Sequence, residues 1–169
     1  MVLALAAAGF ALPALADGDC VDFKWDVRKE RALYAAAPVD ESGGKDAGSA
    51  PVIVPDRLYR LRLTAQERVA FAATPGKVPA VSAFAGLATL KIAASGSYRI
   101  SIDLPFWIDV VSNGSLVQPI DYQGQRTCAA PHKIVVFDLP GSQPLILQFS
   151  GAPQDTILVA VTSAPPRKF

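Results

Sequence analysis

From Asp56 onward, apolar and polar residues alternate with a period of two, the spacing of strands that bury one face. In "DRLYRLRLT" Tyr59, Leu61 and Leu63 share a face, opposite Arg60 and Arg62. "GSYRISIDL" sets Tyr98, Ile100, Ile102 and Leu104 against Arg99, Ser101 and Asp103. "PLILQFS" and "DTILVAVT" repeat the pattern with Leu145, Leu147 and Phe149, and with Ile157, Val159 and Val161. "HKIVVFDL" is apolar on both faces at its centre, which predicts an inner strand. "FAGLATLKI" (Phe84–Ile92) and "FWIDVV" (Phe106–Val111) add two more. The latter runs into Asn113-Gly114, a pair suited to a two-residue type I′ turn because both central positions need positive φ. "SLVQPIDY" follows as its hairpin partner, with Pro119 marking an edge or a bulge.

About eight short strands, each bounded by Gly, Pro or Asn and without helices between them, predict an all-β domain over 56–163. The expected architecture is an antiparallel β-sandwich, jelly-roll-like, with a barrel as the alternative. Upstream the period changes. Asp26 is a candidate N-cap, and Val27–Ala37 read as a short helix stopped by Pro38, lying across one face or end of the sheet. Phe23 and Trp25 ahead of it are expected to plug the core, so 17–37 forms an N-terminal extension with a helix. The stretch 38–55 is rich in Gly, Ser, Asp and Pro and predicts a flexible linker with little regular structure. Residues 164–169 form a tail, and no internal repeat is visible.

The first sixteen residues, "MVLALAAAGFALPALA", carry no charge and end in Ala14-Leu15-Ala16 before Asp17. A short apolar run closed by small residues predicts a secretory signal peptide over 1–16. The run is shorter than the roughly 20 residues of a membrane span. No Lys or Arg follows Met1, so the start codon is expected upstream or the sequence is truncated. Asp19 before Cys20 disfavours a lipoprotein anchor, which needs a small residue there. Export, to the periplasm or beyond, places the two cysteines, Cys20 and Cys128, in an oxidising compartment, where they are expected to pair. Closing so long a loop stabilises by about 4–5 kcal/mol in the chain-entropy account.

"GSYRISIDLPFWIDVVSNGSLV", "TCAAPHKIVVFDL", "ILQFSGAPQDTILVAV" and the N-terminal "DFKWDVRKERALYAA" resemble a group of small secreted alphaproteobacterial proteins without assigned activity. The resemblance covers most of the mature chain apart from 38–55. Members of the group often carry the label homogentisate 1,2-dioxygenase, which implies a non-haem iron held by two histidines and a carboxylate on one side of the metal. This chain has one histidine, His132, so a single subunit does not supply that set.

Charge excludes other classes. Sixteen Lys+Arg against fifteen Asp+Glu give net +1, with no basic patch for nucleic acid and no acidic tail. Two Cys and one His fall short of a zinc site, so no metal and no cofactor are expected. Cys128 lies four residues before His132, but a Cys–His nucleophile needs a reduced thiol, at odds with export. No Gly-x-Ser-x-Gly elbow, P-loop or dinucleotide motif appears. Asp103, Asp109 and Asp121 are candidates for carboxylate-pair hydrolysis, and "SNGS" and "APQD" for weak calcium contacts.

What remains is recognition. Alternation puts Trp107 and Asp109 opposite the core, with Tyr122 across the hairpin and Arg99 on a neighbouring strand; His132 completes the set of candidate ligand contacts. The competing expectation covers Trp107 with the helix or with 38–55. The sequence thus reads as a secreted, non-catalytic binding or accessory module of the cell envelope. Its partner is an unidentified small molecule, glycan or envelope protein, with no nucleic acid and no stable membrane insertion after signal cleavage. The alternative is a small enzyme, a carboxylate hydrolase or the dioxygenase of the label.

Overall fold

The computed structural model describes residues 23–77, 82–125, 128 and 130–165. One short helix, α1 (Arg28–Tyr34), precedes twelve strands among these residues. They are β1 (Val39–Ser42), β2 (Val52–Ile53), β3 (Leu58–Arg62), β4 (Thr64–Ala65), β5 (Phe84–Leu90) and β6 (Gly96–Ile102). β7 (Trp107–Ser112), β8 (Ser115–Val117), β9 (Asp121–Gly124), β10 (Lys133–Leu139), β11 (Leu145–Ala152) and β12 (Thr156–Ser163) complete the set. One sheet runs β1-β3-β12-β6-β10-β9; the other runs β2-β5-β11-β7-β8, with β4 also paired to β5. The mostly-β, two-sheet class expected from the alternation is what the chain forms. The strand count exceeds eight.

The faces of the sheets follow the period-two reading. Tyr59, Leu61, Tyr98, Ile100, Ile102, Leu145, Leu147, Phe149, Ile157, Val159 and Val161 all enter one central core. Phe106 meets Phe149 there edge-to-face, with ring centroids 6.1 Å apart. Asn113 and Gly114 turn with φ of 49° and 74°, joining β7 to β8 as the dipeptide requires.

Residues 38–55 are not the flexible linker their composition suggests. β1 pairs in parallel with β3 from Val39↔Tyr59 to Ser42↔Arg62, and β2 pairs in parallel with β5 at Val52↔Thr89 and Ile53↔Leu90. The Gly- and Ser-rich stretch between them is a turn that passes from one sheet to the other, pinned by a bridge between Gly44 and Leu87. Beside the local Asp46–Ser49 turn, Gly43 and Gly44 bond to Arg62 and Leu87 far along the chain, which local composition does not record. "SLVQPIDY" is likewise not one strand. β8 stays with β7, whereas β9 pairs with β10 in the other sheet. Pro119 has no N–H to extend the ladder, and the chain crosses between sheets there.

Each sheet needs a cover for its outer face, and each has one. α1 is shorter than Val27–Ala37, with Val27 rather than Asp26 at the N-cap position. The helix packs on β12, and ahead of it Phe23 and Val27 bury Ile134 and Val136 of β10 in a second apolar cluster flanked by Trp25 and Ala164. Phe23 is therefore a core residue, as expected, although of this smaller cluster. The opposite sheet is covered by residues 66–77. Gln66 Oε1 accepts from Gly151 N at 2.8 Å, Ala73 exchanges hydrogen bonds with the Gln148 side chain, and Gly76 N donates to Asp109 at 3.0 Å.

Candidate functional site

A recess with a buried polar anchor lies on the outer face of the β6–β10 sheet and occupies about 360 Å³. Trp25, Ile120, Val136 and Ala164 supply apolar wall, and Arg99 reaches in from β6. That volume falls at the lower end of small-molecule sites. Arg99 is only 6% exposed, which is unusual for arginine unless it is paired. Its Nη1 donates to Asp26 O at 2.8 Å and to Glu30 Oε1 at 3.4 Å, and its guanidinium lies 5.3 Å from the Trp25 ring centroid. Nε is sealed from solvent without a partner. Nη2 makes no hydrogen bond among the described residues and, unlike Nε, is not sealed from solvent; Arg99 lines both this recess and the one beside α1.

Glu30, 1% exposed, anchors this arrangement from α1: Oε1 also accepts from Thr162 Oγ1 at 2.6 Å, while Oε2 is buried without a partner. The rim is balanced in charge. Asp26 accepts from Arg28, which lowers its pKa to about 2, and Asp121 pairs with Lys24. A larger groove of about 660 Å³ beside β1 is lined by Asp40, Glu41, Arg60 and Arg62, but these charges sit on open surface.

Trp107 and Asp109 occupy the other outer face, away from this recess. Asp109 is buried: Oδ1 accepts from Trp107 Nε1 at 2.8 Å, and Oδ2 from Gly76 N at 3.0 Å and Gln148 Nε2 at 3.3 Å. Gly76 has to be glycine for this approach, since a Cβ there would lie 2.9 Å from Asp109 Oδ1. Trp107 is half-buried, beneath neither the helix nor 38–55 but beside the 66–77 segment. Lys77 and Lys133 hold their ammonium groups 5.9 and 5.2 Å from its ring centroid.

The expected constellation does not assemble. Arg99 lies in the sheet opposite Trp107, and Tyr122, 67% exposed, sits on β9 against Val135 rather than across the β7–β8 hairpin. His132 stands before β10, its Nδ1 3.1 Å from Cys128 O and its N–H donating to Ile102 O. Asp103 is near His132, and burial raises its pKa; its Oδ1 accepts from Leu158 N at 2.9 Å. Asp109 lies across the sandwich from both, and Asp121 is on β9. No three of His, Cys, Asp or Glu among the described residues are placed to hold a metal, so the donor set does not fit the iron implied by the dioxygenase label.

Sequence reasoning missed Trp25 and Glu30 as partners of Arg99, and Gln148 and Gly76 as partners of Asp109. Gln148, set between Leu147 and Phe149 in an alternating strand, was a signal in the sequence, and the structure buries it. Cys128 is buried, and no cysteine among the described residues is free; Cys20 and residues 1–16 lie outside the described residues. No described helix is long and apolar enough to cross a membrane. No protein-family model and no curated protein matches the chain.

Proposed function

We propose that the protein is an exported, non-catalytic binding module of the cell envelope, its sandwich tied to the N-terminal segment by a Cys20–Cys128 disulfide. The observation that carries this reading is the Trp25–Arg99 recess. It combines apolar wall with a guanidinium that Glu30 and Asp26 hold through Nη1, leaving Nη2 without a protein partner among the described residues. Such a site orients a glycan or peptide-like ligand through one fixed donor and excludes water over the rest. The charge-neutral rim suits a ligand of either kind. The enzymatic alternative requires Asp103, Asp109, Asp121 and His132 to share a cleft, and their positions favour binding instead. Export rests on the leader-like 1–16 run, and the disulfide on that compartment.

The test uses the chain from residue 17 onward, prepared oxidised, on glycan and peptide arrays. Hits should weaken at least tenfold in Trp25→Ala and Arg99→Lys variants that keep the native fold by circular dichroism. Hits insensitive to both substitutions, or no hits on either array, would remove the recess as the functional site. Quantitative labelling of two thiols without reductant would remove the disulfide.

A further inference from the structure

The corner formed by Trp107, Lys77 and Lys133 has a charge imbalance that its own residues leave open. Both ammonium groups lie within 6 Å of one indole ring centroid, at 5.9 and 5.2 Å. The neighbouring carboxylate is Asp109, and its two oxygens already accept three N–H donors, from Trp107, Gly76 and Gln148. Lys133 itself has one long hydrogen bond, to Phe106 O at 3.5 Å, although its side chain is partly withdrawn from water. Burial lowers the Lys133 pKa, and Lys77 lowers it further, while Asp109 acts in the opposite direction. A desolvated ammonium beside a second cation is costly unless something negative compensates it.

We infer that this corner is a second ligand site, distinct from the Arg99 recess, which binds the carboxylate of a small ligand between Lys77 and Lys133 against the Trp107 ring. Among the described residues, two cations and one anion leave a local excess of a single positive charge, which one carboxylate balances. A phosphate dianion would overshoot and face Asp109. Ammonium groups act as point charges and impose no planar fork, so selection comes from this balance and from the apolar indole beside it.

The test is a titration of protein with labelled lysine and tryptophan side chains, followed by NMR at constant ionic strength. Acetate is the minimal probe; glucuronate and N-acetylglycine carry the same group on a sugar and on a peptide frame. The expected result is a saturable shift of the Lys133 ε-methylene and Trp107 indole N–H signals, with the Lys133 pKa moving upward. Whichever extended probe binds at least as tightly as acetate identifies the source of the carboxylate. Lys77→Gln, at an exposed position that leaves the fold in place, should weaken binding roughly threefold to fivefold. Lys133→Gln should abolish saturation. The inference fails if chloride at matched ionic strength reproduces the shifts, if phosphate saturates at lower concentration than acetate, if both extended probes bind more weakly than acetate, or if Lys77→Gln leaves affinity unchanged.

Discussion

Arg99→Met is the substitution that most directly tests how α1 is held to the sandwich. Glu30 and Arg99 are 1% and 6% exposed, so neither charge is solvated by bulk water. Removing the guanidinium leaves Glu30 with the Thr162 hydroxyl as its one hydrogen-bond donor. An uncompensated buried charge of this kind costs about 3–5 kcal/mol. The pair itself is worth far less than that figure. It makes a single 3.4 Å contact, and both Arg99 Nε and Glu30 Oε2 lack partners, so attraction offsets desolvation poorly. Removing both charges in Glu30→Leu/Arg99→Met should therefore return stability to within about 1–2 kcal/mol of wild type, the remainder being chiefly the Thr162 hydroxyl left without its acceptor. Urea unfolding of wild type, both single variants and the double variant measures this, provided the m-value is constant. A cost for Arg99→Met below about 1 kcal/mol, or a double variant as unstable as the sum of the singles, would refute the reasoning.

Two further perturbations test the other face and the sheet end. Asp109→Ala removes the acceptor of three N–H groups and should cost about 2–4 kcal/mol, less than three full charge-assisted bonds because Trp107 and Gly76 can regain water; faster amide exchange at Gly76 is the accompanying sign, and unchanged protection there would contradict the account. Asp103 has a folded pKa raised by burial, so the native state holds its proton more tightly than the unfolded chain, and stability falls as pH rises from 3.8 through the folded value. Asp103→Asn keeps an oxygen for Leu158 N and should match or exceed wild type near neutral pH while flattening that slope. Urea midpoints between about pH 4 and pH 7 decide it, and a neutral-pH loss above about 1 kcal/mol would sink the assignment.

The sequence by itself determined most of the longer strands and the side their residues present to the core. That information is local: a side chain two residues on points the same way, so Tyr59, Ile100, Phe149 and Val159 were legible without any knowledge of their neighbours. The Asn113-Gly114 turn was legible for the same reason, since positive φ is a property of the residues themselves. Apart from that hairpin, tertiary structure decided which strands adjoin and what covers each outer face. Residues 38–55 look like a linker because edge strands borrow their hydrogen bonds from β3 and β5, more than twenty residues away at β5. Alternation placed Trp107 and Arg99 both outside the core but could not say which of the sandwich's two outer faces each occupies. The sheet order sends them to opposite faces, one beside Gly76 and Lys77 and the other beneath Trp25 and Glu30. Strand period is written in adjacent residues, whereas a binding recess is made by residues far apart in the chain that only the packed sheets bring together.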